Sequence, residues 1–503
     1  MNSRMETPSM IPIALLALLG TVVLYLTYNV ATIVYNVFFH PLRNYPGPWY
    51  TAASRVPYLI KVIKGDYLTW NQSLHRRYGQ VVRVAPEELS FTDGRSWRDI
   101  YGHRSGGKVT FSKDRRFYFI GNPTHPETPI LVMTDDQNHP RVRKVFNNAF
   151  SNSALQKQEP LFLEHVDRLL KAIEQKGPAK FDLVTLFHYI TFDIMGELVF
   201  GEPLGLFDGN EYYRAWVKGL FSDIKASSIW RIGYYYPFFL RLLEFLVPKK
   251  LQEERLESFR LANARIDKRM AEQTNHPDIW SLSEREDKDG KPRLSVGEMH
   301  VNASGFMLAG TETSATVLSA MNYYLLKHPA KLKRLTDEIS TSFTRTEDMT
   351  LERLAQLPYL AACIEESLRL FHPAPNGFGR FVPQGGATIA GHWVPEGTVV
   401  ATEHNNTYRD PANFRRPDDF IPERWFDPAF NSDRKIAFEP FSYGPRNCIG
   451  KNLAYHELRL IEAKLLWSFD FHLQEESNDW LDQKAYMVWE KNPLMVTATP
   501  TKR

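Results

Sequence analysis

Cysteine is scarce here: 503 residues contain two, Cys363 and Cys448. Two are too few for a disulfide framework and their surroundings do not resemble a zinc cluster, so a stapled or zinc-dependent fold is excluded and a reducing compartment is expected. A strong charge of one sign is absent too. The net charge is +3, and Lys and Arg are spread along the chain, which leaves no case for a nucleic-acid partner. There is no repeat at solenoid periods and no long low-complexity tract. What is present, 43% hydrophobic and 24% charged residues, is a globular composition able to bury a large core.

One segment departs from that pattern. Residues 11–39, IPIALLALLGTVVLYLTYNVATIVYNVFF, carry no charge, and about 20 apolar residues span a bilayer. The run is longer than the apolar core of a signal peptide and continues into Tyr and Asn, so it reads as a retained transmembrane anchor behind a short tail at 1–10. Arg43, Arg55, Lys61 and Lys64 follow it, whereas Arg4, offset by Glu6, precedes it; this bias puts the body in the cytosol. Sequons at Asn71, Asn302 and Asn405 then stay unglycosylated. A proline-rich hinge over 40–50, with YPGP at Tyr45–Pro48, breaks the helix, and a single catalytic body is expected over 51–503.

Apolar residues at three- and four-residue spacing dominate from Gln137 to His328 and predict helices. Strand-like pieces lie around Val81–Phe91 and Phe378–Ala401, and the charged stretch Leu282–Arg293 reads as a surface loop. The expected class is mainly α with a smaller β portion.

Three local patterns carry chemistry. In SVGEMHVNASGFMLAGTETSATVLSAMNYYLLKHP, Ser295 and Glu298 have capping-box spacing and Pro329 marks the end of a long helix. Its apolar middle is interrupted by AGTETS, Ala309–Ser314. Either this is a helix crossing, with small residues allowing close approach and hydroxyls bonding back to the preceding turn, or Ala309 and Gly310 leave room for a ligand while Glu312 and Thr313 offer an acid and a hydroxyl for moving protons. Next, IEESLRLFHPAP sets Glu366 and Arg369 three apart on one helix face. If the loop FIPERW folds back, Arg424 joins them and Glu366 is shared between two guanidiniums as a buried lock.

The third pattern is FSYGPRNCIG, residues 441–450. Cys448 precedes an amphipathic helical segment, so its sulfur should sit at a helix N-terminus, where the dipole and free N–H groups favour thiolate. Gly444 permits a sharp turn, Gly450 permits close approach of a flat partner, and Arg446 can meet an acidic group on it. A buried structural cysteine is the competing reading of Cys448 alone. Combined with the polar notch of the long helix, the pattern suits haem iron held by one thiolate with oxygen on its other face. Cys363, in LAACIEESL, reads as core.

In that order, AGTETS, ESLR, PERW and FSYGPRNCIG resemble the cytochrome P450 family, from Tyr45 onward, and the anchor with YPGP resembles its endoplasmic-reticulum class. The resemblance implies the P450 fold behind one transmembrane helix, single-pass in the endoplasmic-reticulum membrane, with haem b as cofactor. It makes Cys448 the proximal iron ligand, gives Phe441 and Gly450 haem-loop positions, has Thr313 and Glu312 deliver protons, and has Glu366, Arg369 and Arg424 hold the fold. His139 stands where the family commonly has Trp, with Arg143 four residues on; these two, Arg380 in GRFVPQGG and Arg446 are expected to meet the haem propionates.

The implied activity is a monooxygenase that places one atom of O2 in an apolar small molecule. Electrons come from NADPH through NADPH–cytochrome P450 reductase, with cytochrome b5 a further candidate donor and Lys451, Lys144 and Arg141 a docking face. Substrate contacts are expected from about Phe111 to Ile130, from the central helix near Phe306 and from the loop around Trp489. YYYPFF, Tyr234–Phe239, either dips into membrane lipid or belongs to the core. WEKNPLMV and HPRVRKVFNNAFS resemble fungal P450s of secondary metabolism, including the isotrichodermin hydroxylase type, which implies a terpenoid or polyketide-derived substrate. Two other readings stay open: a reductase-independent haem-thiolate isomerase or dehydratase, and a membrane haem sensor without turnover.

Overall fold

The computed structural model describes residues 10–501, apart from parts of 105–134 and 273–292 and the stretches 215–230 and 237–248. The uncharged N-terminal run forms α1, Met10–Val34, extended by one π-helical turn, Tyr35–Phe39. Leu16, Leu18 and Leu24 are exposed along it, and Leu15–Phe39 is long and apolar enough to cross a membrane. A helix of similar hydropathy, Leu183–Phe200, lies mostly buried in the body and is core.

Behind α1 the YPGP segment is sewn down. Pro46 O accepts from Arg83 N at 2.8 Å, and a side chain at Gly47 would meet Arg83 O at 2.7 Å, so only glycine fits against the first strand. Helices then dominate: α2 (Val56–Ile63), α3 (Tyr67–Tyr78), α4 (His139–Asn147), α5 (Asn152–Glu174), α6 (Leu183–Phe200), α7 (Lys249–Ala271), α8 (Val296–Lys327), α9 (Pro358–Leu370) and α10 (Lys451–Ser468). α8 is the axis of the body. Its 32 residues open on the expected capping box between Ser295 and Glu298, and α6 packs along it.

The strands of the two larger sheets are β1 (Val81–Ala85), β2 (Glu88–Phe91), β3 (Ser112–Lys113), β4 (Phe181–Asp182), β5 (Arg380–Phe381), β6 (Val399–Thr402), β7 (Phe469–Leu473) and β8 (Met495–Pro500). β1-β2-β6-β5-β3 form one sheet, in which β2 and β6 run parallel and the other neighbours antiparallel. β8 lies between β4 and β7 in another, which ties the C-terminus to the start of α6. The three sequon asparagines, Asn71, Asn302 and Asn405, are all buried.

Candidate active site

α8 is buried along most of its length, yet Ala309 is exposed, and Gly305, Leu308 and Thr313 are partly so. Helical spacing puts these four on one side, an open stripe in which only Leu308 is bulky. Thr313 Oγ1 donates to Ala309 O at 2.6 Å, the back-bond of a helical threonine. At Gly310 the helix-crossing reading is favoured. A Cβ there would meet Met195 Sδ of α6 at 2.5 Å, so this glycine lets α6 pack closely against α8.

Glu312 is turned off the stripe and only 1% exposed. Its carboxylate accepts from His188 Nε2 of α6 at 2.9 Å and from Lys491 Nζ of the C-terminal segment. Lys491 also donates to Thr316 Oγ1 at 3.0 Å. Burial pushes the Glu312 pKa up, but the Lys491 charge and the His188 hydrogen bond outweigh it and the net direction is down. His188 moves the same way through desolvation, and burial lowers Lys491 too, opposed by the Glu312 charge; the contact is drawn as a carboxylate against an ammonium, with a neutral imidazole beside them.

The cysteine loop is tightly specified. Gly444 has φ +78°, and a Cβ there would lie 2.0 Å from Tyr101 O. Cys448 N donates to Phe441 O at 2.8 Å, and the Phe441 ring rests on Tyr455 at 5.1 Å. Three residues before the first of α10, Cys448 is exposed, so its sulfur is open to a partner. The expected lowering of its pKa is not found. Atoms packed around the loop desolvate the thiol and push the pKa up, outweighing the Gly450 N–H and the charges of Arg143 and Lys451. A thiolate here needs a cation on the sulfur. Cys363, by contrast, is fully buried on α9, with its pKa pushed well up.

Around the loop stands a cluster of cations. Arg143 donates to Asn447 O at 2.6 Å and Asn447 Oδ1 at 2.7 Å. Arg446 pairs with Asp136 at 2.6 Å. His139 is buried; desolvation, with Arg446, Arg143 and Lys113 nearby, holds its pKa down to about 3, so it is a neutral donor. Lys113, which sequence reasoning missed, is directly opposite Arg380 across β3 and β5. Its pKa falls well below the usual range through burial and through Arg380, Arg446 and Arg143, opposed by Asp136. Like charges opposed across strands repel. Arg380 is 5% exposed, its Nε has no hydrogen-bond partner, and its guanidinium lies 5.4 Å from the Tyr101 ring. Such a cluster fits a ligand bearing two carboxylates, and an accessible thiol within reach of Arg143 fits a soft metal at its centre; haem offers both.

Glu366, Arg369 and Arg424 meet with at most 1% exposure. Arg369 is bidentate on Glu366, at 2.9 and 2.8 Å, and Arg424 Nε approaches both oxygens. The guanidiniums also bind the carbonyls of Tyr408, Pro417, Asp419, Arg415 and Arg416, which fastens the 408–425 segment onto α9.

Three other residues named from the sequence are engaged elsewhere. Phe306 is buried edge-on against Phe146 and Phe150, and Trp489 is stacked on Phe371 at 4.2 Å with Nε1 bonded to His372 O; both are core aromatics, while Gly305, Leu308 and Ala309 beside Phe306 stay open. Arg141 is committed to Glu298 at the head of α8, which leaves Lys144 and Lys451 as the exposed cations of the proposed docking face. Much of 111–130 and the end of YYYPFF lie outside the described residues; within it, Tyr235 stacks on Arg55 and Arg116.

Comparison with known proteins agrees with this geometry. The sequence profile of the family described as Cytochrome P450 matches residues 55–498. The cytochrome P450 monooxygenase efuB of Hormonema carpetanum is 43% identical over 485 residues, covering 95% of each chain. The cytochrome P450 monooxygenase astJ of Aspergillus oryzae is 40% identical over 93% of this chain and 94% of its own. The cytochrome P450 monooxygenase FUM2 of Gibberella moniliformis is 40% identical over 93% of this chain and 100% of its own.

Proposed function

Because this chain belongs to the cytochrome P450 family and its relatives over nearly the whole length are monooxygenases, we propose that it oxygenates an apolar secondary metabolite, terpenoid or polyketide-derived, with electrons from NADPH. The observation that carries this reading is the accessible Cys448 thiol at the head of α10, coupled through Arg143 to the Lys113–Arg380 pair.

Bound haem supplies oxygen activation at iron. Cys448 is the residue to ligate the iron, Arg143, Arg380, Arg446 and Lys113 are those to neutralise two propionates, and His139 is a further donor to them. His139, being neutral, gives a hydrogen bond but no charge. Gly444 and the Phe441–Cys448 hydrogen bond fix the direction in which the sulfur points. Thr313, on the open stripe, releases its bond to Ala309 O when it turns to pass a proton.

The anchor α1 supports residence in the endoplasmic-reticulum membrane, with the body cytosolic. NADPH–cytochrome P450 reductase is the proposed donor, with cytochrome b5 as a second, and exposed Lys144 and Lys451 suit an acidic partner.

The test is metabolite profiling with the full-length protein in reductase-containing membranes. Products that carry one added oxygen and require NADPH support the reading. Turnover of peroxides without NADPH supports the isomerase or dehydratase reading instead.

A further inference from the structure

Glu312 sits on the oxygen-side helix but does not share the open stripe that Thr313 occupies. Both of its oxygens are taken, one by His188 Nε2 at 2.9 Å and the other by Lys491 Nζ and, more weakly, Thr316 Oγ1 at 3.3 Å. Neither carboxylate nor ammonium is more than 2% exposed. A carboxylate held as an anion by a buried ammonium has no proton to give, and its side chain is pinned away from the stripe. The ion pair joins residues 179 apart in the chain. Lys491 follows Trp489, whose stacking on Phe371 and bond to His372 O fasten the C-terminal segment to the body. Asp182, at the start of α6, also acts on His188.

We propose that Lys491 is a latch on Glu312: together with His188 it holds the carboxylate as an anion against α6 and the C-terminal segment, and Glu312 supplies protons only when Lys491 lets go. Lys491 and His188 are thus positioning residues, acting through Glu312. The inference rests on the monooxygenase reading above.

The experiment uses the full-length, haem-loaded protein with reductase and NADPH, without added substrate, and reads peroxide released per NADPH consumed. In Lys491→Met the freed Glu312 takes up a proton and supplies it, so this ratio falls several-fold. In the Glu312→Gln background Lys491→Met changes nothing, and Lys491→Arg restores the wild-type ratio. A second series needs no turnover. In urea unfolding, Lys491→Met loses stability as pH rises through the carboxylate range, because the stranded acid is now protonated in the native state; Lys491→Met with Glu312→Gln does not. The latch is overturned if Lys491→Met leaves the peroxide ratio unchanged, if its effect persists without Glu312, or if the two unfolding series coincide. A haem-loaded wild type that consumes no NADPH instead overturns the monooxygenase reading, while the urea series still reports on the ion pair.

Discussion

Arg143 Nη1 and Nη2 close a fork on Asn447, the residue immediately before Cys448, at 2.6 Å to its backbone oxygen and 2.7 Å to its side-chain oxygen. α4 thereby sets the cysteine loop from outside it. Arg143→Ala strands both acceptors and removes a cation from the cluster, at about 1–3 kcal/mol. The haem-to-protein absorbance ratio after gel filtration is expected to drop, with Arg143→Lys intermediate, because a lysine keeps the charge and loses the fork. A wild-type ratio in Arg143→Ala contradicts this.

Glu366 is the only carboxylate on which both Arg369 and Arg424 converge among the described residues. Glu366→Ala leaves two buried guanidiniums without it, and truncating one partner of a buried pair costs about 3–5 kcal/mol. Urea unfolding is expected to shift by that amount or the protein to fail to accumulate. A shift under about 1 kcal/mol, the value of a surface pair, rules out the lock.

Gly310→Ala drives a methyl into Met195, and overpacking of this kind costs about 1–3 kcal/mol. Met195→Ala in the same chain is expected to recover much of the lost melting temperature. If Gly310→Ala reduces haem or ligand binding and leaves the melting temperature unchanged, the glycine belongs to the ligand site after all.

Much of this was legible because it is local. The capping box at Ser295, the i,i+3 pair Glu366–Arg369 and the turn at Gly444 each sit within one element, where spacing fixes geometry. The misses are long-range. Lys491 and His188 reach Glu312 across 179 and 124 residues, and Lys113 meets Arg380 only through strand pairing. Nothing in the local pattern distinguishes a lysine that ends in the core from one that ends in water. AGTETS left Gly310 open for a related reason: a small residue permits a ligand or a neighbouring helix equally, and only the position of Met195 decides.

Two buried acids on α10 set a pH dependence. Glu457 Oε2 accepts from Ser314 Oγ at 2.7 Å and Glu462 Oε2 from Asn322 Nδ2 at 2.8 Å, while the Oε1 atom of each has no partner. Burial pushes both pKa values from 4.5 up to about 8. The native state therefore binds protons that the unfolded chain has already released. Their stabilisation is full below the unfolded value and is lost as pH rises through about 8, at about 1.4 kcal/mol per acid for each pH unit crossed. Urea midpoints should fall between about pH 5 and pH 8, and Glu457→Gln with Glu462→Gln should flatten that slope. An unchanged slope in the double variant excludes these acids as its source.

Whether the Cys448 sulfur binds haem iron as thiolate is read from the absorption spectrum of the reduced, carbon-monoxide-treated protein. The wild type is expected to show the long-wavelength Soret band of a thiolate-ligated haem, and Cys448→His to lose it at equal haem content. A wild type that retains haem but absorbs at the shorter wavelength of a nitrogen-ligated or unligated haem contradicts thiolate ligation.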